Sequence, residues 1–239
     1  MAVVNLFCLP FAGGSNSAYH RLVRLAPPWM RVMPVELPGR GTRYHEPRLT
    51  SLDDMAADAF DRIAPLLAQP YALYGHSMGA LLGYVLAARI HQAGCPRPLH
   101  LFLSGRAAPT VPGRTRYYHL LEPAELKQVL AGMGGIPEEI LRDERLMDFF
   151  LPIIRADFRA TETYRYQEGP KLDVPITVMF GADETFTEAE AAAWGTVTDA
   201  PVEVRQFAGN HFFIFQYEAH IMELVARRLG GKSCLLEVR

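Results

Sequence analysis

Gly75-His76-Ser77-Met78-Gly79 sets one serine between two glycines, directly after the apolar run 71–74 and directly before the small, apolar stretch 80–93. The pattern G-x-S-x-G is cheap by itself, and its context gives it meaning. A short strand ending at Gly75 and a helix beginning after Ser77 make a sharp turn that strains the backbone at the serine, and the flanking glycines leave room for neighbouring chain. Such a turn lifts the hydroxyl off the end of a sheet. It also sets the Met78 N–H at a helix N-terminus, able to donate to an oxyanion forming on an attacked carbonyl. The chemistry suggested is nucleophilic attack on an acyl carbon. A chance match inside a structural strand–helix turn is the alternative.

A serine hydroxyl is a poor nucleophile until a base takes its proton. Of the eight histidines, His211 stands out. It lies in Ala208-Gly209-Asn210-His211-Phe212, between an apolar run and a terminal helix, where the order serine, acid, histidine places the base. His76 adjoins Ser77 and reads as a packing residue; His20, His45, His91, His100, His119 and His220 read as structural. The orienting carboxylate should follow the strand 176–181. Asp183 is taken as that acid, on its shorter side chain and its spacing to Phe186 and Trp194; Glu184, three residues after Gly181, is the alternative. Pro10-Phe11-Ala12-Gly13-Gly14-Ser15 reads as the source of a second oxyanion donor, from the N–H of Ala12 or Phe11. It lacks the G-x-G-x-x-G of a dinucleotide site.

Positioning these groups requires a scaffold, and the hydrophobic pattern supplies one. Apolar strand-like runs at 3–10, 31–36, 71–74, 99–104, 176–181 and 202–207 alternate with helical patterns at 18–25, 52–67, 80–93, 189–194 and 213–229. Ser51 with Asp54 marks one helix start, and Ser15 to Ser17 another. This rhythm predicts an α/β fold with a mostly parallel sheet and helices on both faces. It breaks between 111 and 169, where helices over 122–133 and 137–164 replace strands. The expected layout is a core of 1–110 and 170–239 with a helical lid inserted at 111–169, over the sheet edge where open α/β sheets bind ligands. Two packing helices with no gating role are the plainer alternative. From Gly230-Gly231 onward the chain reads as a frayed tail.

Composition narrows the function classes. The 239 residues suit one domain, with 49% hydrophobic and 21% charged residues. Twenty-four basic against 26 acidic residues leave a formal charge of −2, with no basic cluster for nucleic acid. Cys8, Cys95 and Cys234 have neither metal-ligand nor disulfide-framework spacing, so no metal and no cofactor are expected. The start lacks a secretory signature and no stretch is long enough to span a bilayer. A cytoplasmic monomer without membrane contact is the expectation.

Taken together, Leu9-Pro10-Phe11-Ala12-Gly13-Gly14-Ser15, Glu36-Leu37-Pro38-Gly39-Arg40-Gly41-Thr42-Arg43, Gly75-His76-Ser77-Met78-Gly79-Ala80 and Gly209-Asn210-His211-Phe212-Phe213 resemble the type II thioesterases of polyketide and nonribosomal peptide synthesis, within the α/β-hydrolase fold. The Pro-Gly-Arg-Gly run is the most discriminating. The resemblance implies hydrolysis of acyl groups from the phosphopantetheine thiol of acyl or peptidyl carrier proteins, clearing stalled assembly lines. That family usually follows its catalytic Asp with Pro, whereas Glu184-Thr185 follow Asp183 here. Met133, Met147, Phe149 and Phe150 are expected to line an acyl pocket, or else simply to pack the helices. Arg40 and Arg43 are expected to meet the pantetheine phosphate or an acidic carrier surface, or else to brace loops. A carboxylesterase on the same fold and a non-catalytic binding protein remain the competing readings.

Overall fold

The computed structural model describes residues 3–112, 117–136 and 138–230. Of the expected tail, Gly230 still belongs to the last helix, and the residues from Gly231, with Cys234, lie outside the described residues, as does Pro137. In chain order the elements are β1 (Val4–Leu9), α1 (His20–Leu25), β2 (Met30–Pro34), α2 (Leu52–Ile63), β3 (Tyr71–His76), α3 (Met78–Gln92) and β4 (Leu101–Ser104). Then follow α4 (Pro123–Met133), α5 (Glu138–Arg142), α6 (Glu144–Thr163), β5 (Ile176–Gly181), α7 (Glu188–Ala192), β6 (Val202–Phe207) and α8 (Glu218–Gly230).

The six strands form one sheet in the order β2-β1-β3-β4-β5-β6, every pair parallel. Alternation along the strands feeds two cores. Phe7, Leu9, Leu73, Leu101, Leu103 and Val178 face α2 and α3, with Trp194 beside them. Leu6, Cys8, Ala72, Tyr74, Phe102 and Met179 face Leu22 of α1 and Ile221, Met222 and Val225 of α8. Helix α3 has no polar face to give to water, because every residue from 78 to 87 is buried. β2 lies on one side of β1 and β3 on the other, so the winding reverses between β1 and β3. A crevice opens at such a reversal, outside the carboxyl ends of the strands. The loop after β1 and the turn after β3 both emerge there.

Local chemistry fixes the element ends. Ser51 caps α2 by accepting from the Asp54 N–H, as the sequence predicts, and Gly134 ends α4 in a left-handed conformation. Two expectations change. The Ser15 hydroxyl pairs with Ser17 Oγ at 2.8 Å instead of capping, and a short 3₁₀ turn precedes α1. The long helix expected over 137–164 is two helices, because the Asp143 side chain accepts from the Leu146 N–H and starts α6 afresh. Between β4 and β5, Leu126, Leu130, Met147, Leu151 and Ile154 form a small core of their own. The far end of α6 belongs elsewhere, with Ala160 in the main core beside α3. Among the described residues, no helix is long and apolar enough to cross a membrane.

Candidate active site

β3 runs straight into Ser77, whose φ of 55° and ψ of −113° are strained for a residue with a side chain. Among the described residues it is the one non-glycine with positive φ. The glycines around it are required by contact. A Cβ on Gly75 would collide with the carbonyl of Gly79, and one on Gly79 with the carbonyl of Leu9. α3 can therefore cross the ends of β3 and β1 at backbone distance. The Ser77 N–H is tied to Ser104 O at 2.7 Å, which anchors the turn to the end of β4. Met78 opens α3, so its N–H has no acceptor within the helix.

His211 reaches this turn from the loop after β6. Its ring lies 4.8 Å, centroid to centroid, from that of His76. Its Cε1 sits against Gly105, which directly follows Ser104. Its Nδ1 is 2.8 Å from Glu184 Oε1, with the Glu184 side chain 6% exposed. The expectation for Asp183 is thereby corrected. The Glu184 N–H donates to Gly181 O, closing a four-residue turn after β5. The turn carries Glu184 inward to the imidazole and leaves Asp183 exposed, its own N–H bonded to Gly209 O. The longer side chain makes the reach. With Nδ1 engaged by a carboxylate, Nε2 is the nitrogen left for proton transfer.

His76 is wholly buried, its Nδ1 3.0 Å from Ser104 Oγ. Because the Ser104 hydroxyl donates to Gly75 O, it accepts from His76, which places the imidazole proton on Nδ1. His76 Nε2 is then a buried lone pair without a partner. Burial, reinforced by the nearby His211, holds this imidazole well below the ordinary histidine range. His100 behaves alike: it bonds Thr177 Oγ1 at 2.8 Å, stacks on Phe102, and is pushed down to about 4, chiefly by burial. Both rings are neutral in the folded protein at pH 6 and ionise more readily once unfolded. The unfolded chain therefore binds more protons below about pH 6.5, and stability drops as the pH falls from there. Thermal melts should show the midpoint declining between pH 7 and 5, with a shallower decline in His100→Gln; a midpoint flat across that window would contradict the assignment.

Glu36 and Arg40, from the loop after β2, build the other wall. The Glu36 carboxylate accepts from the Asn16 N–H at 3.0 Å and the Thr42 N–H at 3.4 Å. Arg40 is 2% exposed and forks onto Asp157 of α6, Nη1 to Oδ2 at 2.7 Å and Nη2 to Oδ1 at 2.6 Å. Arg43 bonds Asp58, Glu46 and the Glu36 carbonyl. Neither guanidinium is a free cation: of the two expectations for this pair, phosphate contact or loop bracing, the bonds match bracing. A cavity of about 370 Å³ lies between this loop and α6, lined by Gly13, Ser15, Arg40, Gly41, Tyr44, Phe149, Phe150 and Ile153. Phe149 and Phe150 thus reach a cavity. Met147 does not, since it is wholly buried in the small core of the inserted helices. Met133, half-buried at the end of α4, is not among the lining residues.

Sequence reasoning gave no role to Ser104 or Asp157, and none to Glu36 beyond its place in a motif. Asp157 had a legible signal: it falls at helical spacing on the stripe of α6 that carries Ile153, Ile154 and Ala160, all buried. An acidic residue on a buried stripe requires a partner.

The thioesterase domain family model matches residues 4–232. Gramicidin S biosynthesis protein GrsT of Aneurinibacillus migulanus is 36% identical over 229 residues, 95% of this chain and 90% of that protein. Among solved structures, the type II thioesterase BorB from the borrelidin biosynthetic cluster is 39% identical with a TM-score of 0.88, covering 95% of this chain and 93% of that one. RedJ, a thioesterase from the prodiginine pathway of Streptomyces coelicolor, gives a TM-score of 0.89 at 35% identity, covering 95% and 91%. With the strained serine turn, the approaching imidazole and these kinships in hand, the chain belongs to the thioesterase family, as a type II serine thioester hydrolase on an α/β-hydrolase fold.

Proposed function

We propose that this thioesterase removes acyl groups from the phosphopantetheine thiol of acyl or peptidyl carrier proteins, as an editing enzyme of polyketide or nonribosomal peptide synthesis. One observation carries the substrate class: the likeness to GrsT, a gramicidin S biosynthesis protein, and to BorB, a type II thioesterase of the borrelidin cluster, runs over 95% of the chain. The cytoplasm, where such synthases work, is the compartment that fits this role.

Ser77 Oγ attacks the thioester carbon while its proton passes to His211 Nε2. Glu184, on Nδ1, holds the ring in orientation and stabilises the imidazolium. Charge building on the carbonyl oxygen is met by the N–H of Met78 and by that of Ala12, with Phe11 the neighbouring candidate. The C–S bond then breaks, and the leaving thiolate takes the proton from His211 Nε2, which returns the imidazole to its neutral form. A thiol with a pKa of about 8.5 leaves with less protonation help than an amine would need. His211 next deprotonates a water, which attacks the acyl-enzyme; the C–Oγ bond breaks and Ser77 regains its proton. The helices α4–α6 serve as a lid, and the acyl chain lies along Phe149, Phe150, Ile153 and Tyr44. At about 370 Å³ the cavity falls within the range of roughly 300–1,000 Å³ typical of small-ligand sites.

The test is mass spectrometry of a panel of acyl-loaded carrier proteins incubated with the enzyme. The expected result is loss of the acyl mass with the pantetheine arm intact, faster than hydrolysis of oxygen esters of the same acids. A strong preference for the oxygen esters overturns the proposal in favour of a carboxylesterase.

A further inference from the structure

We propose that Asp157 is a positioning residue for oxyanion stabilisation: by accepting the Gly13 N–H it fixes the turn that aims the Ala12 N–H, while Arg40 holds the carboxylate in place. The inference rests on the reading of Ala12 as an oxyanion donor.

The turn after β1 has few ways of being held. The Gly14 N–H donates to Phe11 O at 2.8 Å. In a trans peptide the C=O and the next N–H point in opposite directions, so pinning the Phe11 carbonyl also sets the direction of the Ala12 N–H. That pin holds only as long as Gly13 and Gly14 stay put, and both are tethered from outside the turn. The Gly13 N–H donates to Asp157 Oδ2 at 2.8 Å, and Gly14 O accepts from Arg40 Nη1 at 3.2 Å. Ile154, one helical turn before Asp157, packs directly on Gly13. On the far side, Glu36 takes the Asn16 N–H. The turn is therefore built between two buried carboxylates, and the one nearer Ala12 comes from α6, more than 140 residues away in sequence.

A buried ion pair this well formed is not automatically a stabilising one. Replacing both partners by apolar groups is often neutral for the fold, whereas removing one leaves a buried, uncompensated charge. The function of this pair is then to present an acceptor. Oxyanion donors act through placement, so a small drift of Ala12 weakens transition-state binding more than substrate binding.

The experiment compares two double variants on a carrier-independent acyl N-acetylcysteamine thioester. Arg40→Met/Asp157→Asn removes both charges and keeps an oxygen for the Gly13 N–H. Arg40→Met/Asp157→Leu removes the charges and the acceptor. Both doubles lose the Arg40 bond to Gly14 O, so they are read against each other: the Leu version should show a kcat about 10- to 100-fold below that of the Asn version, with KM within about threefold. Affinity for a trifluoromethyl ketone, which forms an oxyanion on Ser77, should fall in step with kcat. Equal kcat in the two folded doubles sinks the inference, as does a Leu double at wild-type rate. Asp157→Asn alone adds a second check, should the Leu double fail to fold: it should melt lower yet keep kcat within about threefold, and a collapse of kcat in the folded single variant also overturns the inference. Ser77→Ala in the same assay separates the two levels. If Ser77→Ala retains turnover, the serine mechanism itself fails; if it is inactive while the doubles match, only the role of Asp157 does.

Discussion

Ser77→Ala should lower thioester hydrolysis by roughly four to six orders of magnitude while leaving the protein folded. The loss is large because the acyl group must bond to Oγ, and neither His211 nor the backbone donors can substitute for that bond. The fold should tolerate the change because the turn is defined by backbone contacts, with the Ser77 N–H on Ser104 O and glycines on either side. Strain supplies an independent readout. Ser77 sits at φ 55°, where a side chain is costly and glycine is at ease, so Ser77→Gly should be inactive yet melt higher than wild type. Activity assays with circular dichroism melts on both variants check this. A Ser77→Gly protein that melts lower would show that the turn is not strained, and a Ser77→Ala protein that turns over normally would remove the nucleophile from the scheme.

The second large effect separates two adjacent carboxylates. Glu184→Gln should cost about 10²–10⁴-fold in kcat, because an amide on His211 Nδ1 no longer stabilises the imidazolium and can favour the wrong tautomer. Asp183→Asn, at an exposed position, should stay within about twofold of wild type. The fold should survive both changes. Steady-state kinetics on the pair decides the matter, and a reversed order of effects would return the acid role to Asp183. Glu184→Asp tests reach: a carboxylate one methylene shorter should recover only part of the rate.

The Asp183 expectation failed for a reason of turn geometry. The strand 176–181 was legible to the residue, and so was the need for an acid after it. Which of two neighbouring side chains faces inward depends on the hydrogen bond from the Glu184 N–H to Gly181 O, and side-chain length says nothing about that. For Arg40 and Arg43 the sequence left two readings open, an anion contact or a loop brace, and the ion pairs match the second. Their partners Asp157 and Asp58 are distant in sequence, so the motif by itself did not choose between the two. The single helix expected over 137–164 failed on capping: Asp143 is tolerable within a helix by propensity, but its side chain bonds the Leu146 N–H and begins a new one.

By itself the sequence determined the parallel α/β framework, the serine at a strand-to-helix turn, the histidine after the last strand and the glycine-rich turn after the first. Each of these is written in local periodicity, or in glycines that only a close backbone approach demands. Tertiary structure alone decided which carboxylate meets His211, that Arg40 is spent on Asp157, and that a helix from the middle of the chain steadies a turn near its start. Those outcomes follow from burial, because a charged or polar group removed from water must take whatever partner the fold brings within about 3 Å, however far away that partner lies in sequence.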